Sequence, residues 1–128
     1  MNPNPDQPDV EQTAAVTLRT AAAAAHVLAD LAVRDERYDQ LAALTAASYA
    51  TEATIYLPLP DSDPEDNDRA ADRDLVDNLA DLADALDELA RHSPDVRQMR
   101  DRHMAALHTR DAAVALRDAL PIEQGAAR

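Results

Sequence analysis

Residues 74–89 read DLVDNLADLADALDEL. Leu75, Leu79, Leu82, Leu86 and Leu89 follow a 4-3-4-3 rhythm, which places them on one stripe of an α-helix. Asp74, Asp77, Asp81, Asp84 and Glu88 run beside that stripe. With Leu79 and Leu86 turned toward a core, the four aspartates point outward. The segment is a packed amphipathic helix with one acidic wall, and its leucine seam needs other helices to cover it.

Upstream, Asp63-Pro64-Glu65-Asp66 combines a capping acid, a proline at the first helical position and two acids at the positive end of the dipole. These signals predict a helix from Asp63 to about Arg91, with Arg91 and His92 at its negative end. Ser93-Pro94-Asp95 repeats the start signal, with Ser93 as the cap. The next helix therefore begins at once, and the two form an antiparallel hairpin. Val96, Met99, His103, Leu107 and Val114 mark its packed face, and it ends before Pro121. Residues 61–88 hold twelve acids against two arginines, and residues 94–120 hold five arginines against four acids, so the two helices attract each other.

On the amino-terminal side, Asp9 and Gln12 make a pair like a capping box. Val10, Ala14, Leu18, Ala21, Ala25, Leu28 and Ala32 then trace one face of a helix that runs to about Val33. A tight turn is expected in the charged patch Arg34–Arg37, with Asp35 capping a second helix over Glu36–Leu57. One long helix through the patch is the alternative, because no glycine or proline breaks it. In the second helix, Leu41, Leu44, Ser48, Glu52 and Ile55 share a face, and Tyr38, Tyr49 and Tyr56 form a stripe beside it. Pro58 and Pro60 end it, and residues 58–63 form the link to the second hairpin. The expected fold is all-α: an antiparallel up-down-up-down four-helix bundle of two αα-hairpins over residues 9–120. Residues 1–8 read as a disordered lead-in and residues 121–128 as a flexible tail.

Composition agrees. A chain of 128 residues fits one domain and buries roughly two-thirds of its unfolded surface. It has no Phe, no Trp and three Tyr, and alanine is its commonest residue. Alanine is the best helix former but contributes little apolar area, so the helices must approach closely. Without cysteine there is no disulfide, thiolate nucleophile or cysteine-based zinc site; without lysine there is no Schiff base or P-loop. One glycine cannot build a phosphate-cradling loop. A net charge of −13 disfavours nucleic acid and anionic lipid as partners. The amino terminus lacks the pattern of a signal peptide, and the mildly apolar run Thr20–Ala29 is too short to span a bilayer. A cytoplasmic location is the default.

The candidate chemistry is thin. The aspartate wall offers hard oxygen ligands for a divalent cation. However, all-α nucleotide pyrophosphohydrolases hold magnesium through an E-x-x-E…E-x-x-D pattern that this chain lacks. Glu88 and His92, Met99 and His103, and Met104 and His108 are each four apart, yet the Glu-x-x-His pairs of carboxylate-bridged di-iron bundles are absent. No metal or cofactor is assigned. Glu52, on an apolar face, needs a partner if buried, and His103 on the last helix could supply one across the core. Glu52 and His103 are thus the candidate interior polar site. The tyrosines Tyr38, Tyr49 and Tyr56 and the acids Asp74, Asp77, Asp81 and Asp84 are the candidate interaction surface, and Ala21–Ala25 could form a smooth docking face.

Three functional expectations follow. The leading one is a non-enzymatic module acting through protein contacts, with a protein partner or itself as a homodimer. The second is a small-molecule- or metal-binding bundle centred on Glu52 and His103. The third is an acidic decoy whose wall imitates a phosphate backbone and occupies a basic protein.

Overall fold

A computed structural model describes residues 6–59 and 69–121, with side chains from residue 10 onward. It contains four helices: α1 (Asp6–Ala32), α2 (Gln40–Thr54), α3 (Arg73–Arg91) and α4 (Val96–Ala119). The chain is an all-α bundle of two αα-hairpins around one shared core.

Each helix start has a local cause, and several differ from the sequence signals. Helix α1 begins at Asp6, so Asp9 lies inside it rather than capping it, and residues 6–8 of the expected lead-in are helical. Pro8 is tolerated there because first-turn N–H groups have no intrahelical acceptor. The first hairpin does break, but α2 starts later than expected. Asp35 is taken up by Arg37, accepting from its backbone N at 3.1 Å and from Nη2 at 2.7 Å. The cap is Asp39, whose Oδ1 accepts from Ala42 N at 3.1 Å. Helix α3 starts at Arg73 under an Asp72 cap on Leu75 N, at 3.0 Å. The Asp63-Pro64 signal lies outside the described residues, and residues 69–72 are not helical. At the second hairpin, Asp95 is the cap, and the Ser93 hydroxyl instead donates back to Leu89 O at 2.9 Å.

Helix α2 packs on α1 and on α4, and α4 on α3; α1 and α3 meet along a shorter seam. Backbone contacts fix the directions. Asp39 N donates to Ala119 O at 3.0 Å, joining the start of α2 to the end of α4. Arg73 Nη2 donates to Pro121 O at 2.8 Å, so α3 starts at this same end. The link leaving α2 passes the other end of the bundle, where Gln12 Nε2 donates to Leu59 O. By Ala71 it has reached Ala24, to whose carbonyl it donates at 3.2 Å. Twelve residues of α1 separate those two anchors, about 18 Å at the helical rise. The described ends of the link between the two antiparallel hairpins, Leu59 and Ala71, thus lie well apart along the bundle. The order is up, down, down, up, in place of the alternation that a short link would impose. Every neighbouring pair remains antiparallel, and α2 and α3 stand at diagonal corners.

The core is built from small side chains. The buried apolar residues among those described are twenty Ala and seven Leu, so close helix approach supplies the contact that large side chains would otherwise provide. In α1 the expected face is correct: Ala14, Leu18, Ala21, Ala25 and Leu28 are buried. In α3 the seam holds at Leu79, Leu86 and Leu89, with Leu75 and Leu82 partly covered. In α2 and α4 the expected faces are inverted. Helix α2 buries Ala43, Ala46, Ala47, Ala50 and Ala53 and turns Leu41, Leu44, Ser48, Glu52 and Ile55 outward. Leu41 is 74% exposed and Ile55 67%. Helix α4 buries Ala105, Ala106, Thr109, Ala112, Ala113 and Leu116 and exposes Val96, His103, Leu107 and Val114.

A small-residue interface cannot accept a larger side chain. Ala50→Leu is expected to destabilise the fold by about 1–3 kcal/mol through overpacking. Leu41→Gln is expected to change stability by no more than about 0.5 kcal/mol, because the side chain is already in water. Urea denaturation of the two variants measures the difference.

Candidate functional site

Glu52 and His103 do not form an interior site. Both are exposed, and they lie on different sides of the molecule. Glu52 sits in a shallow depression of about 270 Å³ between α1 and α2, lined also by His26, Leu44, Ser48, Thr51 and Ile55. His103 faces α3, where its Nδ1 is 3.0 Å from Asp87 Oδ1. The cause is the inversion of α2 and α4: once alanines are buried, residues on the bulkier stripes turn out.

The buried polar residues are others. Arg102, 4% exposed, lies on the alanine face of α4. Its Nε and Nη2 donate to the two carboxylate oxygens of Glu11 at 3.2 and 3.3 Å, and its Nη1 donates to Ser93 Oγ at 2.6 Å. This fork clamps the second turns of α1 and α4 to the α3–α4 turn. A guanidinium is suited to the task because its planar donors match a carboxylate in pairs. The burial of position 102 is legible from the small-residue stripe Ala105, Ala106, Thr109, Ala112 and Ala113, which includes it; the larger residues of α4 mask it. All of the clamp's groups engage one another, so the arrangement holds helices together and presents nothing to a substrate.

A second cluster joins α2 to α4. His108 lies between Tyr56, with ring centroids 5.7 Å apart, and Tyr49, at 6.3 Å, the rings nearly parallel. Its Nδ1 is buried and has no hydrogen-bond partner among the described residues. Tyr38, Tyr49 and Tyr56 are all partly buried against the core. Tyr49 and Tyr56 thus act as an aromatic clasp within the monomer, and Tyr38 lines a depression of about 390 Å³ with Asp72, Arg73 and Pro121.

The third cluster holds α3 to α4. Arg110 Nη2 bridges Asp84 and Asp87, each at 3.0 Å, and Asp87 also meets His103. Burial pushes the Asp87 carboxyl up, but the hydrogen bonds from His103 and Arg110 outweigh it and hold it below the usual carboxylate range. The expected attraction between these helices is thus present. Asp74, Asp77, Asp81 and Asp84 are all exposed. Glu88, at the end of the wall, accepts from Arg91 at 2.8 Å and lies 2.8 Å from His92. Among the described residues, no three His, Asp or Glu side chains converge as metal ligands would.

Among the described residues the exposed large apolar side chains are Val33, Leu41, Leu44, Ile55, Leu59, Val96, Leu107 and Val114, and five of the eight fall between residues 33 and 59. By length and hydropathy the stretch Val10–Ala32 reaches the range of a membrane-crossing helix, longer than the run singled out from sequence. Its apolar face is used by the bundle core. No protein-family model, curated protein or solved structure matches the chain.

Two outcomes follow from these clusters. Glu11→Ala should cost about 2–3 kcal/mol in urea denaturation, less than for a fully enclosed pair because Glu11 retains some exposure, and Glu11→Leu with Arg102→Met should recover most of it. Asp87 has a folded pKa below its unfolded value of about 3.9, so its contribution is full above that pH and fades as pH falls through the folded value. Asp87→Asn should therefore flatten the acid limb of the stability–pH profile below about pH 4, with little change in slope above pH 5.

Proposed function

We propose that this chain is a non-enzymatic helical module of the cytoplasm that acts through protein contacts, with the outer face of the α1–α2 hairpin as its contact surface. The observation that supports this is the inversion of α2. Its largest apolar side chains, Leu41, Leu44 and Ile55, stand in solvent while its alanines fill the core. Such a stripe gains nothing for the monomer and offers apolar area to a partner. Helix α2 also carries a single charged residue, Glu52, in a protein of net charge −13. Contact surfaces are depleted of charge at their centres in this way. The exposed aspartates of α3 stand diagonal to α2, away from this face, in a protein whose net charge disfavours nucleic acid and anionic membranes.

A photo-activatable amino acid placed at position 41 or 55, in cells that make the protein, tests the reading. Covalent protein adducts are expected at several-fold higher yield than from position 77 on the acidic wall. Equal yields at the three positions would contradict it.

A further inference from the structure

We infer that the occupant of the α1–α2 face is a second copy of this chain, related by a two-fold axis that passes beside Ser48 and sets the two α2 helices antiparallel. The inference rests on the protein-contact reading above and adds the partner's identity to it.

The first support is register. Leu41, Ser48 and Ile55 are seven residues apart and share the outer stripe. Two turns of helix separate each large residue from the serine. An axis at Ser48 therefore sets Leu41 of each copy against Ile55 of the other and places the small serine where the helices cross. Such a self-complementary patch is what an isologous two-fold contact requires.

The second support is charge. His26 of α1 lies beside Ser48 in one depression. Arg19 lies with Thr51 and Thr54, on the Ile55 side of that point, and the exposed Asp30 lies one turn beyond His26, on the opposite side. Because α1 and α2 are antiparallel neighbours, the same axis carries Asp30 of one copy toward Arg19 of the other, twice. The axis brings Glu52 opposite the uncharged Leu44, at the rim of the stripe. The acidic α3 helices stand diagonal to α2 and face outward on both sides of the assembly, separated by several helix diameters. That exceeds a Debye length of about 8 Å, so the acids of the two α3 helices repel each other little in such a dimer.

The third support is size. A face one α2 helix long and two helices wide covers about 450 Å² per copy. This is the range of weak, reversible contacts, so association is expected at tens of micromolar or above.

The chain contains no cysteine, so Ser48→Cys supplies a unique thiol. Under mild oxidant it should form a disulfide-linked dimer about tenfold faster than Asp77→Cys, because the axis brings the two thiols together. In sedimentation equilibrium Leu41→Asp should abolish association while keeping the helical circular dichroism. Arg19→Asp should weaken it about threefold, and adding Asp30→Arg should restore it. Adding Asp77→Arg instead, which restores the same net charge, should not. A wild-type chain that stays monomeric to about 500 µM overturns the inference, as does a dimer indifferent to Leu41→Asp or equal cross-linking at positions 48 and 77. Adducts from positions 41 and 55 to a different protein, with no self-association, would remove the second copy and leave the protein-contact reading standing. No adducts at all would remove both.

Discussion

Alanine packed against alanine is the constraint on which the structure depends. A methyl side chain fills little space, so two helices lined with alanine make contact only by bringing their backbones close. Helices α1, α2 and α4 do this, and the most deeply buried leucines, Leu18, Leu28, Leu79, Leu86 and Leu116, fill what remains. Close approach leaves no room for larger residues on the same faces. Leu41, Leu44, Ile55, Leu107 and Val114 are displaced outward for that reason, and the exposed apolar surface is a by-product of how the core is filled.

A core of this kind gains less from apolar burial per residue than one of leucine and phenylalanine. Directed interactions therefore hold the corners. The Arg102–Glu11–Ser93 clamp ties the ends of three helices, the tyrosine–histidine clasp ties α2 to α4, and the Arg110–Asp84–Asp87–His103 cluster ties α4 to α3. Each joins a different set of elements, and the clamp links α1 to α4, two helices that do not otherwise pack along their length. The link between the hairpins completes this. Because α3 starts beside Pro121 rather than beside Leu57, the most acidic helix ends up diagonal to the least charged one.

Much of the fold was legible in the sequence, and the limit was physical. Apolar periodicity and the prolines marked out four helices and the tight second hairpin, but the expected caps Asp9, Asp35 and Ser93 are not the ones used; the leucine rhythm of α3 gave the correct buried face and the outward acids. The same rule failed in α2 and α4. Reading the largest apolar residues as the buried ones assumes that size drives burial, and here Ala43, Ala46, Ala47, Ala50 and Ala53 form the more continuous stripe. That error produced the pairing of Glu52 with His103, and it hid Arg102, which a stripe of alanines would have flagged as buried. Capping signals misplaced the start of α2 because Asp35 found a nearer partner in Arg37. The direction of the second hairpin depends on contacts such as Ala71 to Ala24, which no local pattern encodes.

Helix α2 turns its alanines inward and its large side chains to solvent. Carbene footprinting of the dilute protein, read residue by residue, tests this most directly. Heavy labelling of Leu41, Leu44 and Ile55 with protection of Leu18, Leu28, Leu86 and Leu116 is the predicted result. Protection of Leu41 and Ile55 at a concentration where the protein sediments as a monomer would contradict it.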